Sequence, residues 1–291
     1  MRTLTEQPQT ASMPVSIMAT PLREFPMSEA DFRFLGDLAT HHTGIIFPSY
    51  KKDLIYGRLT RRLRALGLSN FEDYCMLLQG EAGTEEIPHM VNAVTTNLTS
   101  FFREAHHFAH LEQAVLKPFA QATNKPRLRI WSAACSSGME AYSIAMALLA
   151  AFPQAADYDV KILATDIDSR MLEIAREATY PVAEEVRIPE AYKRFVTQNE
   201  DVCAVRQEVR NLVSFKRLNL IESWPMKGPF DAIFCRNVVI YFDKETKRTL
   251  FNRLADMLTV GGYLYIGHSE NLNGLTERFT QVGRTTYQRV V

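Results

Sequence analysis

Three groups of polar residues stand where apolar runs stop, and each could do chemistry. Arg236, Asn237 and Tyr241 follow the apolar stretch Phe230, Ala232, Ile233, Phe234, which starts after the turn-like Lys227-Gly228-Pro229. Thr165 and Asp166 end a second apolar run that begins at Val160. Ser132-Ala-Ala-Cys-Ser-Ser-Gly138 ends a third. In an open α/β sheet, ligands bind beyond the carboxyl ends of the strands. A carboxylate placed like Asp166 accepts hydrogen bonds from both hydroxyls of a ribose; its other use is to cap the next helix, for which Asp168 competes. The small residues of 132–138 admit a ligand close to the backbone, and the amides of the next helix start favour polar or anionic groups. The run is not Gly-x-Gly-x-x-Gly, so a dinucleotide pyrophosphate is poorly supported. Taken alone, residues 236–241 read equally well as a solvated loop entry.

The elements that must position these residues follow from periodicity. Residues 28–100 read as all helical: Ser28 with Asp31 starts one helix, Ser69 with Glu72 another, and a further helix spans 85–94. Residues 105–122 form a connecting helix. The pattern then changes to strand 128–133, helix 138–151, strand 160–165 and a helix through Ala178. Such alternation means parallel strands with right-handed crossovers. Strand 231–235, helix 243–258, a Gly261-Gly262 turn, strand 263–267 and an antiparallel pair around Gly283-Arg284 complete it. Residues 181–218 interrupt the alternation as a small β excursion, with strands at 202–209 and 212–217.

Bulk composition narrows the class. Among 291 residues, 33 basic and 33 acidic side chains cancel, which argues against general attraction to nucleic acid or membranes. Cys75, Cys135, Cys203 and Cys235 form no Cys-x-x-Cys pair, and Cys135 and Cys235, at strand ends or turns, read as reduced thiols of a cytoplasmic protein. No apolar run reaches membrane-spanning length, and the first 25 residues, with Pro8, Pro14 and Pro21, read as a flexible tail rather than a signal peptide. His106, His107 and His110 lie at near-helical spacing without the acid of a His-Glu-x-x-His pattern, so no metal is expected. Charge is concentrated in residues 51–66. Ile55, Leu59, Leu63 and Leu66 share one helical face, and Lys51, Arg58, Arg61, Arg62 and Arg64 fall largely outside it. Two readings stand there: a solvated face, or a surface for an acidic partner. No aromatic residues interleave the cations as they would for single-stranded nucleic acid.

The small-residue turn, the acid on the next strand and the later polar strand end resemble class I S-adenosylmethionine-dependent methyltransferases. Longer blocks narrow the resemblance. Thr95-Thr-Asn-Leu-Thr-Ser-Phe-Phe-Arg-Glu104, Trp131-Ser-Ala-Ala-Cys-Ser-Ser-Gly-Met-Glu-Ala-Tyr-Ser143, Ala164-Thr-Asp-Ile-Asp168, Cys235-Arg-Asn-Val-Val-Ile-Tyr-Phe-Asp243 and Gly267-His-Ser-Glu-Asn271 are similar to the chemotaxis receptor methyltransferase (CheR) family, from about residue 28 onward. The resemblance implies an all-helical N-terminal domain (26–100, after a tail at 1–25), a linker helix (101–126) and a class I, Rossmann-like α/β domain (127–291) with an inserted antiparallel β-subdomain at about 181–218. It implies methylation of glutamate side chains on the cytoplasmic helices of chemoreceptors, with S-adenosylmethionine as methyl donor and S-adenosylhomocysteine as product. By the same resemblance Asn97, Thr99, Arg103, Glu140, Asp166, Asn219, Leu220, Arg236 and Asn237 hold the cofactor, and Arg103 and Tyr241 lie near the transferred methyl. Arg58, Arg61 and Arg62 would face the acidic receptor helices. Read without the family, Asn97 and Thr99 would cap a helix end and Arg103 would pair with Glu104.

Two departures from the family pattern matter. Met139 stands where the family carries the first of two glutamates. Residues 197–202 lack the longer glycine-bearing loop of members that grip a receptor's C-terminal pentapeptide, so no tether is expected, and the protein is expected to be a monomer. The chemistry itself needs little acid–base help, because a glutamate carboxylate, with a pKa of about 4.3, is already ionised at neutral pH. One rival reading is a non-catalytic module that binds the cofactor and regulates through its helical domain. A nicotinamide oxidoreductase is a second, and the missing glycine fingerprint counts against it.

Overall fold

The computed structural model describes residues 23–123 and 127–291, and most of the expected N-terminal tail lies outside them. The part of that tail that is described, residues 23–25, packs onto the helical domain: Phe25 is buried and its N–H donates to Tyr56 Oη at 3.0 Å.

Four helices open the chain: α1 (Glu29–Thr43), α2 (Lys52–Leu66), α3 (Phe71–Gln79) and α4 (Gly83–Val94). Ser28 and Asp31 form the expected capping box on α1, each side chain accepting the other's backbone N–H. For α3 the cap is Asn70, not Ser69: its Oδ1 accepts the Asp73 N–H at 2.8 Å. Phe32, Leu35, Ile55, Leu59, Leu63, Phe71, Tyr74 and Met90 form one apolar core. Leu66, expected on that buried face, is exposed at the end of α2, while Thr60 is buried with its hydroxyl bonded back to Tyr56 O.

The connecting helix runs as α5 (His106–Leu111), a π-turn (Glu112–Leu116) and α6 (Lys117–Gln121). The α/β part then follows with β1 (Leu128–Ala133), α7 (Met139–Ala151), β2 (Val160–Asp166), α8 (Ser169–Glu177), β3 (Thr179–Pro181), β4 (Val196–Gln198), β5 (Val202–Val205), α9 (Gln207–Arg210), β6 (Val213–Arg217), β7 (Phe230–Cys235), α10 (Lys244–Met257), β8 (Leu258–Ile266), β9 (Phe279–Gly283) and β10 (Thr286–Arg289). Seven strands form one sheet in the order β6-β2-β1-β7-β8-β10-β9. The first five are parallel; β10 is antiparallel to both its neighbours. One apolar cluster packs α5 to α7 on one face, and a second packs α10 on the other. The strand order reverses beside β1, and at such a switch point the carboxyl ends open a crevice.

Two expectations need correction. The small antiparallel sheet is β3-β5-β4 only. The run 212–217 belongs instead to the large sheet, as β6 parallel to β2; its half-exposed, alternating side chains fit an edge strand as well as a hairpin. Gly261-Gly262 is not a turn before the last parallel strand but an irregularity within β8, where the register against β7 shifts. No helix among the described residues is long and apolar enough to cross a membrane.

Candidate active site

The carboxyl ends of β1, β2, β6 and β7 come level around a cleft of roughly 930 Å³, counting its open mouth. Register explains the convergence: Ala133, the last residue of β1, pairs with Thr165 and with Cys235. Ala134, Cys135, Ser136 and Glu140 line it from β1 and α7, Asp166 from β2, Asn219 and Leu220 from beyond β6, and Arg236, Asn237 and Tyr241 from beyond β7. The linker between α4 and α5, which starts before the expected linker helix, supplies Asn97, Leu98, Thr99 and Arg103, and the segment after α1 supplies Thr43 and Ile45. Every cofactor and catalytic candidate named from the sequence therefore lines one cavity.

Each wall is fixed by buried polar contacts. Asp166 is buried; its Oδ2 accepts the Ser136 N–H at 2.7 Å and its Oδ1 the Asp168 N–H at 2.9 Å. A carboxylate has about four acceptor sites, so these amides do not exhaust Asp166, which lines the cleft. Burial raises its pKa to about 6 even though those amides pull it down. The helix-capping reading fails for Asp166 because Asp168 takes that role, accepting from Arg170 N at 3.0 Å. Asp168, fully buried, also accepts from Thr95 Oγ1 at 2.9 Å and Asn97 Nδ2 at 2.8 Å, which ties the linker to the sheet. Asn97 accordingly does not cap α4, whose C-cap is Thr95.

Arg236 anchors the centre. Its side chain is 2% exposed; Nη1 donates to Glu140 Oε2 at 2.8 Å and Nη2 to the Arg103 carbonyl at 2.6 Å, with Glu104 Oε1 at 3.4 Å. The other Glu140 oxygen accepts from Ser132 Oγ at 2.7 Å. Arg103 itself donates to the Leu98 carbonyl at 2.9 Å and has no ion pair among the described residues, so its pairing with Glu104 is not seen. Phe102 and Glu104, on either side of Arg103, both have positive φ, as do Ala134, Ser136 and Asn237. Such backbone costs energy in residues with a side chain and gathers at binding sites. The Arg236–Tyr241 turn hangs on Glu270, which sequence reading overlooked. Its carboxylate accepts from the amides of Gly267, Asn237, Val239 and Ile240; burial raises its pKa against these bonds.

Two further observations concern charge. Arg62 is bound bidentately to Glu86 (2.7 and 2.8 Å), and Arg58 donates to Val94 O and to Thr96 Oγ1 (2.7 Å). Of the three expected receptor-facing arginines, only Arg61 has neither an ion pair nor a side-chain hydrogen bond among the described residues. Glu104, outside any His-Glu-x-x-His pattern, brings a carboxylate oxygen within 4.8 Å of ring nitrogens of His106 and His107. That carboxylate already sits beside Arg236 and His268, and burial with Arg236 nearby drives the His107 pKa down to about 3.

Family models match both halves: "CheR methyltransferase, all-alpha domain" over residues 30–95 and "CheR methyltransferase, SAM binding domain" over residues 97–288. The chain belongs to the CheR methyltransferase family. Among CheR relatives, the "Probable chemotaxis protein methyltransferase" of Rhizobium etli is 46% identical over 252 residues, 84% of this chain and 94% of its own length. The chemotaxis protein methyltransferase of Salmonella typhimurium is 40% identical over 287 residues, 96% and 97% of the two chains. "Chemotaxis protein methyltransferase 2" of Pseudomonas aeruginosa is 41% identical over 271 residues, 91% and 95%. In CheR terms the boundary between the two family models falls at the linker that carries Asn97 to Arg103. The buried Asp166, the small-residue turn and the uncovered Arg103 suit S-adenosylmethionine, the cofactor of this family.

Proposed function

We propose that this protein is a protein-glutamate O-methyltransferase acting on chemoreceptors, and that the cleft at the β1/β7 switch point carries the reaction. The observation that supports it most is the convergence of Arg103, Asp166, Asn237 and Tyr241 in one cavity. A purely regulatory binding module would not need the last of these. S-adenosylmethionine supplies an electrophilic methyl on a sulfonium. Asp166 receives the ribose hydroxyls; Asn97, Thr99, Glu140, Asn219, Leu220, Arg236 and Asn237 complete the binding wall. Arg103 and Tyr241 orient the incoming glutamate carboxylate, which is ionised at neutral pH and needs no base. Catalysis is then positioning and desolvation. Arg103 is best placed as an orienting rather than a clamping partner, because ester formation removes the negative charge it would bind.

The division into a helical domain at 26–100, a linker at 101–126 and a catalytic domain at 127–291 belongs to this reading, as does work in the cytoplasm as a monomer. Receptor contact through the α2 cations rests mainly on Arg61, because Arg58 and Arg62 are engaged internally. No pentapeptide tether is proposed. The β4–β5 connection is a tight turn in which Asn199 Oδ1 accepts the amides of Asp201 and Val202, with no projecting loop. Transfer of tritiated methyl from S-adenosylmethionine to a receptor cytoplasmic fragment, released as methanol by base, tests the function. Cofactor binding without transfer to any of several receptors would favour the regulatory module.

A further inference from the structure

Arg103 is followed directly by a residue of opposite charge, and the fold keeps the two apart. Arg103 lines the cleft and Glu104 does not. The Arg103 side chain donates to the neutral Leu98 carbonyl at 2.9 Å, and no carboxylate pairs with it among the described residues. The backbone makes this separation. Phe102 and Glu104 have φ of 49° and 59°, a left-handed geometry that costs energy in residues with a Cβ. Contacts from three elements hold the segment in it. The Phe102 N–H donates to Ser143 Oγ of α7 at 2.9 Å, the Arg103 carbonyl accepts from Arg236 Nη2 at 2.6 Å beyond β7, and Glu104 Oε1 accepts the His268 N–H at 3.3 Å beyond β8.

The Glu104 carboxylate is engaged on the far side of this turn. Its side chain is 11% exposed, with Oε1 3.4 Å from Arg236 Nη2 and 3.2 Å from His268 Nδ1. Burial pushes its pKa up, but Arg236, His268 and His107 outweigh burial and hold it below the usual carboxylate range, so it is ionised at neutral pH. Its Oε2 stands 3.7 Å from His107 Nδ1, too far for a hydrogen bond, and neither atom has a hydrogen-bond partner among the described residues although both are buried. An unpaired buried carboxylate oxygen costs stability, as does the left-handed backbone that turns it inward. Stability alone therefore does not account for an acid at this position.

We infer that Glu104 is a positioning residue for Arg103. Held by Arg236 and His268, it fixes the turn that places Arg103 on the cleft wall, and it keeps its own charge off a guanidinium that the acceptor carboxylate needs. A guanidinium already neutralised by one carboxylate attracts a second only weakly, and a misplacement of about 1 Å at an orienting group costs roughly a hundredfold in rate. Arg236 thereby has two tasks: its Glu140 bond belongs to the cofactor wall, and its Glu104 contact belongs to the acceptor side. The inference rests on the proposed function and deepens it, by naming what keeps the orienting arginine available.

The test measures methyl transfer by the full-length protein to a receptor cytoplasmic fragment, with S-adenosylmethionine affinity read by calorimetry. No transfer by the unaltered protein to any of several fragments would overturn the proposed function and this inference with it. Given transfer, Glu104→Gln should lower kcat about tenfold and leave cofactor affinity within about twofold, because Arg236 keeps Glu140. His268→Ala removes a half-exposed side chain, so it should lower kcat several-fold with the thermal unfolding midpoint unchanged. The deciding readout is a double-mutant cycle with Arg103→Ala, whose slow rate tritium counting keeps measurable. Once the guanidinium is gone, Glu104→Gln and His268→Ala should each cost less than about twofold in kcat, whereas a merely structural role predicts undiminished losses. Equal fold-losses with and without Arg103, an unchanged kcat in Glu104→Gln, or cofactor affinity falling in step with kcat would overturn the inference and leave the function standing.

Discussion

At the scale of single residues, the proposed mechanism gives Tyr241 to catalysis and Asp166 to cofactor binding. Tyr241 lines the cleft, with Lys51 Nζ 5.5 Å from the centre of its ring. Tyr241→Phe removes one orienting hydrogen bond, so kcat should fall about tenfold, with cofactor affinity within twofold by calorimetry. Equal losses in both would assign Tyr241 to the cofactor. Asp166 makes binding depend on pH. Its folded pKa, raised to about 6 by burial, means that the protonated form predominates below that value. In the proposed role Asp166 meets the ribose in its ionised form, so cofactor affinity should decline as pH falls below about 6, and Asp166→Asn should bind weakly and without that dependence. For folding the sign is reversed: a raised carboxyl favours the native state below its unfolded pKa, and the gain is lost as pH rises through about 6. His107, pushed down to about 3, works the other way and costs stability as pH drops below its ordinary value. Most of these side chains were legible because polar residues ended apolar runs. Glu270 was not, since a carboxylate that serves backbone amides leaves no pattern apart from its position after a strand; Asp168 was legible as a helix cap, but not as the acceptor of Thr95 and Asn97.

At the scale of elements, the turns between strands and helices carry the site. Gly138 has φ +85°, and a Cβ there would lie 2.8 Å from Ala175 Cβ and 3.0 Å from Phe215. Gly138→Ala should therefore destabilise the fold by roughly 1–3 kcal/mol, read from the urea midpoint. Gly57→Ala, at an uncrowded helical position, should stabilise it by about 0.4–1 kcal/mol. Glu270→Gln keeps the shape but weakens a carboxylate that holds four amides, so the Arg236–Tyr241 turn should loosen. A loss of about 1–3 kcal/mol in stability and a raised KM for the cofactor are expected. Strands and helices themselves followed from periodicity almost to the residue in β1 and α10. β6 did not, because an edge strand and a hairpin strand share the same alternation, and only pairing partners distinguish them. Gly261-Gly262 misled for a related reason: paired glycines mark a turn or a bulge equally well.

At the scale of the whole molecule, the cleft belongs to neither half alone. Thr43 and Ile45 come from the helical part, and Asn219 Nδ2 donates to the His42 carbonyl at 2.8 Å to hold that wall in place. Asn219→Ala should weaken cofactor binding several-fold although the residue sits at the seam, a result calorimetry would show directly. Sequence alone indicated two parts and a linker, but not that the first part closes the pocket of the second, because nothing in residues 42–46 carries an obvious chemical signature. Arg58 has a similar double position: it stands outside the buried face of α2 and donates to the Val94 carbonyl at the end of α4 and to Thr96 beyond it. A partner that presses on that guanidinium also presses on a wall of the cleft. Binding free energies are reciprocal, so whatever factor an acceptor contributes to cofactor affinity, the cofactor must return to the acceptor. The two ligands would then report on each other in a thermodynamic cycle, and Arg58→Ala would shrink that mutual term toward unity even where each affinity on its own survives.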